Sequence, residues 1–467
     1  MPREPFARAA VIGSGIAGLL TARVLSDFFG EVILFEKDAV PTTPGFRRGI
    51  PQGHHFHALI PGGMRILMEL LPGVDADLRK AGSILPAPDQ VYYYRPEGKS
   101  FRQTTYVPEP PADSGDRFMY VQTRGLLEHC VRARVEAIPN VTPRYETSVS
   151  DVAVRDGRVS GVILAGSPGQ QVDADLVIDA TGRSTRMLGW LDRLGYPHPA
   201  EEVIHCDFAY TTVFMKPRDP AAFSDVCFLI LPQGGGDAPS RGGGLIRVEG
   251  GLWMVAAGGR YGEYPPRDFD GLMRFIEKLP VSRLHELASQ ADPVGEPAHF
   301  RFARSWRRRF DQLEAFPAGV LPVGDAISHY NPMYGQGMAA ACRQAVALRT
   351  ALSEEAAAGR GLASLWRAFF PQAYQETRSP WLFAALGDFR DPRCTGAFPM
   401  TELPTLAGMQ FLAAEAAGGD AEARRTLEAI ASLELRIDVL ERSPWKERIA
   451  GGHEPTAAMM ETIGSQP

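Results

Sequence analysis

Three histidines lie within four residues in the stretch GIPQGHHFHALIPGG: His54, His55 and His57. Histidine can ligate a metal, exchange protons near neutral pH or fix a loop through hydrogen bonds to the backbone. Metal binding is disfavoured because no cysteine or carboxylate cluster accompanies these residues at ligand spacing. We therefore expect no metal site, and the neighbouring motifs must decide between loop scaffolding and proton donation.

A glycine motif, Gly13-x-Gly15-x-x-Gly18, precedes the histidines, with Glu36 further along the chain. Residues 9–12 predict an apolar strand, residues 17–28 have helical periodicity, and residues 31–36 favour a second strand. Glycines at the first turn of such a unit let the backbone approach a pyrophosphate, and an acid after the second strand accepts hydrogen bonds from ribose. The motif therefore predicts dinucleotide binding.

Two further glycine turns follow predicted strands, at Thr181-Gly182 in DLVIDATGRSTR and at Gly324-Asp325 in GVLPVGDAISHYNPMYGQG. With these motifs the chain resembles the FAD-dependent monooxygenase superfamily, whose second flavin motif has this GD form. The resemblance implies that Asp325 binds the ribityl chain and that residues 335–338 begin a helix aimed at the flavin pyrimidine edge. A positive helix end there stabilises negative charge on reduced flavin.

The finer resemblance rests on RRGIPQGHHFHALIPGG together with NPMYGQGM. These segments resemble a branch of flavin epoxidases of polyether and polyketide natural-product biosynthesis, with motifs spread over residues 9–352. In that context the histidines are flavin-side scaffolding. Arg124 matches the family's arginine at the start of a helix that flanks FAD, or it is a surface arginine. Many aromatic hydroxylases carry a D-G motif where this chain has Thr181-Gly182, so a simple phenol hydroxylase is disfavoured and the route of the nicotinamide stays open.

The resemblance implies a set of residues in contact with FAD: Gly13, Ser14, Gly15, Ala17, Gly18, Glu36, Lys37, Arg48, Gln52, His55, Arg124, Thr181, Gly182, Gly324, Asp325, Pro332, Gly335, Gly337 and Met338. Arg47 matches the motif as well as Arg48 does. The catalytic candidates are His329 and Tyr334, both in the flavin loop, and loop packing explains each of them equally well.

The implied activity is monooxygenation with O2. Reduced by NAD(P)H or by a flavin reductase, FAD would form a C4a-hydroperoxide that epoxidises, or else hydroxylates, an apolar natural-product-type substrate. Epoxidation needs no strong protein base, whereas phenol hydroxylation benefits from one. Apolar residues of FAYTTVFM, VCFLIL and LWMVAAGG line the substrate cavity or form sheet core. The expected substrate is a polyketide, a terpenoid or an aromatic molecule.

Three other functions share these motifs. A flavin-dependent halogenase characteristically carries W-x-W-x-I-P, but no two tryptophans here are two residues apart: Trp190, Trp253, Trp306, Trp366, Trp381 and Trp445. A double-bond reductase of the prenyl-reductase type would turn over without oxygenated product. A redox-silent flavoprotein that serves as a binding or scaffold subunit is the third alternative.

The elements that must position these residues predict an α/β fold. We expect a Rossmann-type (GR2-like) FAD-binding domain with an inserted antiparallel β-sheet substrate domain and a helical C-terminal region. The predicted segments are 1–85 (FAD-binding βαβ unit and flavin loop), 86–120 (substrate-domain strands), 121–200 (FAD-binding, continued), 201–300 (antiparallel substrate sheet), 301–352 (GD motif and helix) and 353–467 (helical region). Asp156-Gly157 predicts a hairpin turn, and the glycine-rich residues 232–244 predict a loop.

Composition agrees with an ordinary globular protein. The 467 residues carry a net charge of −6, which gives no electrostatic footprint for nucleic acid. Five scattered cysteines, without a C-x-x-C pair, indicate reduced thiols rather than a disulfide framework. No run approaches the length of a membrane span and the N-terminus lacks a signal-peptide pattern, so we expect a cytoplasmic enzyme without integral membrane association.

Overall fold

The computed structural model describes residues 6–47, 49–87, 90–94, 100–102, 119–166, 169–231 and 240–452. Its strands are β1 (Phe6–Ile12), β2 (Phe29–Phe35), β3 (Val91–Tyr94), β4 (Ser100–Arg102), β5 (Val141–Arg144), β6 (Val149–Arg155), β7 (Arg158–Leu164), β8 (Gln171–Asp173), β9 (Leu176–Asp179), β10 (Glu201–Pro217), β11 (Cys227–Ile230), β12 (Arg241–Val248), β13 (Leu252–Arg260), β14 (Ala291–Arg308), β15 (Val320–Pro322), β16 (Ser328–His329) and β17 (Thr395–Gly396).

The α-helices of these residues are α1 (Ile16–Leu25), α2 (Pro61–Leu70), α3 (Val74–Lys80), α4 (Arg124–Glu136), α5 (Met187–Leu194), α6 (Phe269–Glu277), α7 (Arg283–Ala288), α8 (Gly337–Ala357), α9 (Leu365–Asp388), α10 (Leu403–Ala417), α11 (Ala421–Ala431) and α12 (Trp445–Gly452). The α/β class predicted from the sequence is confirmed.

A parallel sheet, in the order β15-β9-β1-β2-β5, draws its strands from separated parts of the chain. Its central strands are apolar runs buried on both faces, as parallel sheets require. Helices α1, α2, α4 and α8 pack beside it, and the hairpin strands β6 and β7 extend into a small antiparallel sheet with β8. Because all five strands run in the same direction, their carboxyl ends meet at one edge, where ligands of such sheets bind.

The second large sheet is mainly antiparallel and is ordered β16-β14-β10-β13-β12-β11-β3-β4, with β17 also paired to β10. Side chains alternate along the long strand β10. Val213 and Met215 join the core formed with α6 and α7, whereas Tyr210 and Thr212 face the segment that carries the histidines. One face of the sheet is therefore closed by helices, and the other is turned toward the parallel sheet's domain.

The loop predicted over the glycine-rich residues 232–244 extends too far. Residues 232–239 lie outside the described residues, but Arg241 begins strand β12 and pairs with β13. Gly243 and Gly244 suit a strand here because a Cβ on either residue would lie within 3 Å of its cross-strand and side-chain neighbours. The turn at Asp156 and Gly157 is confirmed, with positive φ at both residues, as a type I′ hairpin requires.

The described part of the C-terminal region, residues 353–452, is mainly helical, and β17 is its one strand. Helices α9 to α12 form a separate apolar core that also includes Ile204, Tyr330 and Ala340 of the preceding segments. Strand β14 crosses the predicted domain boundary between residues 300 and 301 without interruption. None of the five cysteines forms a disulfide with another described residue, and all five are buried. Among the helices of the described residues, none combines the length and the hydropathy needed to span a membrane.

Candidate functional site

The first glycine turn joins β1 to α1 at the carboxyl edge of the parallel sheet. Gly13 has φ +101°, and a Cβ there would lie 2.7 Å from the carbonyl oxygen of Ala180. A Cβ on Gly18 would lie 1.8 Å from the carbonyl oxygen of Gly13. Gly15, the N-cap of α1, has φ −70°, and no described heavy atom lies within 4 Å of a Cβ built there. Open space thus faces the first-turn N–H groups of α1, which have no acceptors within their own helix.

Glu36, at the end of β2, is buried and turned back toward this glycine turn. Its Oε2 accepts hydrogen bonds from Ser14 N (3.0 Å), Ser14 Oγ (2.9 Å) and Arg47 Nη1 (2.5 Å), and its Oε1 accepts from Asp38 N (3.1 Å). Burial raises the pKa of Glu36, but Arg47 and the N–H donors outweigh it and bring the pKa below its usual value. The ionised carboxylate has most room left at Oε1, where a ribose hydroxyl can donate. Lys37, the next residue, is exposed.

A buried charge cluster extends from Glu36 to helix α4. Arg47 Nε donates to Glu128 Oε1 at 2.6 Å, and Arg132 Nη2 donates to the same oxygen at 2.6 Å. Arg124 reaches Glu128 only through its Nε at 3.4 Å, and burial lowers the pKa of its guanidinium. Three arginines thus share two carboxylates. The excess positive charge beside the glycine turn favours an anionic group such as a phosphate.

The histidine segment is fixed to the antiparallel sheet. His55 Nδ1 lies 2.9 Å from Thr212 Oγ1, and His57 Nδ1 lies 2.6 Å from the carbonyl oxygen of His55. Burial lowers the pKa of His55 and of His57 to about 3, so both imidazoles are neutral. The Oε1 atom of Gln52 is buried without a hydrogen-bond partner among the described residues. Arg48 lies outside the described residues.

The turns after β9 and β15 lie side by side. Asp179 is fully buried and its carboxylate accepts hydrogen bonds from Thr181 N and Oγ1, so it holds the turn rather than facing a ligand. Gly182 has φ +65°, and a Cβ there would be 3.6 Å from Cβ of Asp325. Asp325 Oδ2 lies 2.8 Å from His329 Nδ1. Burial raises the pKa of Asp325, but the neighbouring His329 and arginines outweigh it and keep the carboxyl below its usual pKa.

The GD turn also packs against the first glycine turn. Gly324 has φ +66°, and a Cβ there would lie 2.8 Å from Cβ of Ala17. Its N–H donates to Gln344 Oε1 of α8 at 2.7 Å. The two nucleotide motifs are therefore in direct contact.

The flavin loop, which we define as residues 331–337, connects β16 to α8. Asn331 Oδ1 accepts from Met333 N at 3.1 Å and begins a single 3₁₀ turn that contains the exposed Pro332. Gly335 follows with φ +66°, Gly337 begins α8, and Met338 packs partly against the main core. The N-terminus of α8 thus lies at the end of a loop that hydrogen bonds hold in shape.

Tyr334, the second catalytic candidate, is engaged within the protein. Its hydroxyl donates to Asp388 Oδ1 at 2.8 Å and accepts from Arg260 Nη2 at 3.2 Å. Burial and the Asp388 carboxylate raise the pKa of Tyr334 well above its usual value. The phenol therefore keeps its proton and does not serve as a base.

Aromatic side chains line the face of the antiparallel sheet that meets these motifs. Tyr210 lies 4.4 Å from the ring of His55 and 5.7 Å from Phe300. The guanidinium of Arg183, which follows Gly182, lies 5.2 Å from the Phe300 ring. The turn after β9 therefore meets an aromatic wall, which we define as Phe208, Tyr210, Phe300 and Phe302.

These residues fit an FAD molecule. The open space before Gly15 and the free N–H groups of α1 suit its pyrophosphate. The cluster around Arg47 and Glu128 has one more positive than negative charge, which suits the phosphates of FAD. The unpartnered Oε1 of Gln52 offers a further hydrogen-bond acceptor. The helix dipole of α8 suits negative charge at the other end of the cofactor. Among the described residues, no group of three or more His, Cys, Asp or Glu side chains is arranged to hold a metal ion.

Sequence reasoning missed several members of this arrangement. The buried pairs of Arg47 were detectable in part, because Arg124, Glu128 and Arg132 are spaced four residues apart on a predicted helix. Thr212, the partner of His55, and Gln344, the partner of Gly324, carried no local signal. The same is true of Asp388, which lies in a region where no motif was found.

The comparisons with known proteins agree with this geometry. The family model described as "FAD binding domain" matches residues 7–380. The protein Rv3254 of Mycobacterium tuberculosis strain H37Rv is 35% identical over 405 residues, which cover 82% of this chain and 81% of that protein. A kynurenine 3-monooxygenase of Salinispora tropica is 26% identical over 394 residues, covering 80% and 76%. Among solved structures, the flavin-dependent brominase Bmp2 superposes with a TM-score of 0.67 at 16% identity, covering 98% of this chain and 99% of that chain, which shows a shared fold.

The family model covers the glycine turns, the aromatic wall and most of α9, so its match includes every motif described above. The chain belongs to the FAD binding domain family and is a flavoenzyme of the flavin monooxygenase superfamily, with FAD as its cofactor and with NAD(P)H and O2 as the usual co-substrates of such enzymes.

Proposed function

We propose that this chain is an FAD-dependent monooxygenase that epoxidises, or else hydroxylates, an apolar natural-product-type substrate. The observation that carries the proposal is the aromatic wall opposite the GD motif, with neutral His55 beside it. Aromatic rings bury large apolar areas and hold flat or chain-like substrates without charge. A polyketide, a terpenoid or an uncharged aromatic molecule suits such a wall.

The residues near this wall support epoxidation over phenol hydroxylation. His329 is paired with Asp325 and lies against Trp306, with the two ring centroids 4.4 Å apart. Tyr334 keeps its proton, as described above. Tyr334 does not serve as a base, and epoxidation of an alkene needs none, whereas a phenol benefits from one.

FAD, when bound, supplies the oxidising chemistry from O2 after reduction by NAD(P)H or by a separate flavin reductase. Gly13, Gly15 and the N-terminus of α1 would bind its pyrophosphate, and Glu36 would accept hydrogen bonds from its ribose. Asp325 would contribute the ribityl contact, with His329 holding the carboxylate in place.

A substrate panel tests the proposal. The FAD-loaded protein is incubated with NADH or NADPH and with alkenes such as styrene, indene and geraniol, or with phenols such as 4-hydroxybenzoate. Acceleration of nicotinamide oxidation by alkenes, with epoxide as product, supports the proposal. A response to phenols alone would contradict the epoxidation assignment.

Three further measurements separate the alternatives. The likeness to a brominase fold favours including bromide, and a brominated product would identify a halogenase instead. Reduction of an alkene without oxygen would identify a double-bond reductase. A protein that binds FAD but cannot be reduced would indicate a scaffold subunit.

A further inference from the structure

A buried polar cluster joins three parts of the chain that are distant in sequence. Asp388 Oδ1, on the last residue of α9, accepts hydrogen bonds from Arg260 Nη2 (2.7 Å), Tyr334 Oη (2.8 Å) and Asn331 Nδ2 (3.0 Å). Arg260 is the last residue of β13, while Asn331 and Tyr334 belong to the flavin loop. The Asp388 side chain is completely buried, and that of Arg260 is 3% exposed.

The smallness of Gly387 is a second, independent observation at this place. A Cβ on Gly387 would lie 2.2 Å from Oη of Tyr334 and 2.7 Å from its Cζ. Glycine inside a helix is unfavourable relative to alanine. Its presence in α9 is explained by the Tyr334 phenol, which needs that space to reach Asp388. The ring of Phe383, one turn earlier in α9, also packs edge-on against Tyr334 at 5.7 Å.

The cluster is not expected to add much to the stability of the fold. Oδ2 of Asp388 and Nε of Arg260 are both buried without a hydrogen-bond partner among the described residues. Buried ion pairs of this kind can often be replaced by apolar side chains of similar volume without loss of stability. The hydrogen bonds of the cluster instead fix the positions of the side chains that they join.

The group held here is the flavin loop. Asn331 and Tyr334 stand at the two ends of its 3₁₀ turn, and Gly337 begins α8 three residues after Tyr334. The same carboxylate oxygen fixes both loop residues and ties them to Arg260 of the antiparallel sheet. Because all three hydrogen bonds end on Asp388 Oδ1, this atom links the antiparallel sheet to the loop that leads into α8.

We propose that Asp388 is a positioning residue that holds the flavin loop and the N-terminus of α8 at a fixed distance from the antiparallel sheet. It acts through Asn331 and Tyr334 and does not itself touch the cofactor or the substrate. The inference rests on the assignment of the flavin site, and not on which substrate is oxygenated. Its effects are therefore on the affinity for FAD and on the redox potential of bound FAD.

The test compares two double variants. In Arg260→Met/Asp388→Leu both charges of the cluster are removed together, so that no uncompensated charge remains. In the control, Arg378→Met/Glu402→Leu, a partly buried ion pair of 2.6 Å between α9 and the residue before α10 is removed without touching the flavin loop, and the exposed Glu441 loses its contact with Arg378 as well. For each protein, thermal unfolding without FAD, the Kd for FAD and the midpoint potential of bound FAD are measured, all without substrate.

For the cluster variant we expect unfolding temperatures near those of the parent, together with a Kd for FAD raised about tenfold and a more negative midpoint potential. The control should leave the Kd and the potential unchanged. Parental affinity and potential in a folded cluster variant would overturn the proposal.

If the cluster variant does not fold, Tyr334→Phe decides the question, since it removes a single hydroxyl. A shifted potential then supports the positioning role, whereas loss of stability alone refutes it. Because no readout involves substrate oxygenation, a failure of the proposed function would be seen separately.

Discussion

The placement of the cofactor makes a sharp prediction at Gly15. In Gly15→Ala, the new Cβ meets no described protein atom within 4 Å, and the φ of −70° suits alanine. Alanine is a poorer N-cap than glycine but reduces the entropy of the unfolded chain, and these effects offset to within about 1 kcal/mol. The protein without FAD should therefore be almost unchanged in stability.

The same Cβ occupies the space that the pyrophosphate needs. Loss of charged hydrogen bonds to the helix N-terminus costs about 3 kcal/mol, which raises the Kd for FAD roughly 150-fold. At an FAD concentration of about 100 times the parental Kd, ligand binding stabilises the parent by about 2.7 kcal/mol and the variant by only about 0.3 kcal/mol. Thermal unfolding with and without FAD, supported by a fluorescence titration of FAD, measures both quantities.

Two glycine variants serve as controls for this experiment. Gly189→Ala, in α5, also meets no described atom and should keep full FAD affinity. Gly18→Ala places its Cβ 1.8 Å from the Gly13 carbonyl oxygen, so it should destabilise the protein itself by about 2 kcal/mol. A folded Gly15→Ala protein that binds FAD with parental affinity would refute the placement of the pyrophosphate.

Three further predictions concern the charged and titratable groups of the site. Glu36→Gln should lower the free energy of unfolding by about 3 kcal/mol, because the buried cluster of Arg47, Arg124 and Arg132 then keeps only one carboxylate, that of Glu128, and urea unfolding measures this. Asp325→Asn should weaken FAD retention during gel filtration while the apoprotein stays folded, since Asp325 is only partly buried by side-chain area. His55 and His57 stay neutral in the folded protein, while the unfolded chain protonates them below pH 6.5. Stability should therefore fall as the pH decreases from 6.5, and less steeply in His55→Gln, as urea titrations at several pH values will show.

Each of these predictions has a contradicting outcome. An unfolding free energy of Glu36→Gln equal to that of the parent would mean that the buried pair is not formed. Unchanged FAD retention by Asp325→Asn would remove the ribityl role. An equal pH slope in His55→Gln and in the parent would show that His55 is not buried as a neutral imidazole.

The sequence predicted the local part of this site because glycine turns, strand patterns and helical periodicity depend on residues that are close together in the chain. The βαβ unit, the turns at Gly182 and Gly324 and the helix from Gly337 all lie where their patterns indicate. The predicted helix 17–28 ended too late, since α1 stops at Leu25 and Phe29 already enters β2 beside Phe6.

The partners of these residues could not be predicted in the same way. Thr212 reaches His55, and Asp388 reaches Tyr334, across chain separations that no periodic pattern encodes. Burial also changes the chemistry of a side chain. The sequence suggests the Tyr334 phenol as an acid or base, but burial and Asp388 raise its pKa and keep it protonated. A side chain's type suggests its chemistry, whereas its partners decide it.

We propose that the chain transfers oxygen from O2 to an apolar substrate held at the aromatic wall, with epoxidation of an alkene as the first candidate reaction. The most direct test is a turnover with FAD, NADPH and the alkene panel under isotope-labelled O2, with the products analysed by mass spectrometry. We expect one labelled oxygen atom in the epoxide, and none when labelled water is used with unlabelled O2. An alkene that is reduced, brominated or left unchanged while NADPH is consumed would contradict it.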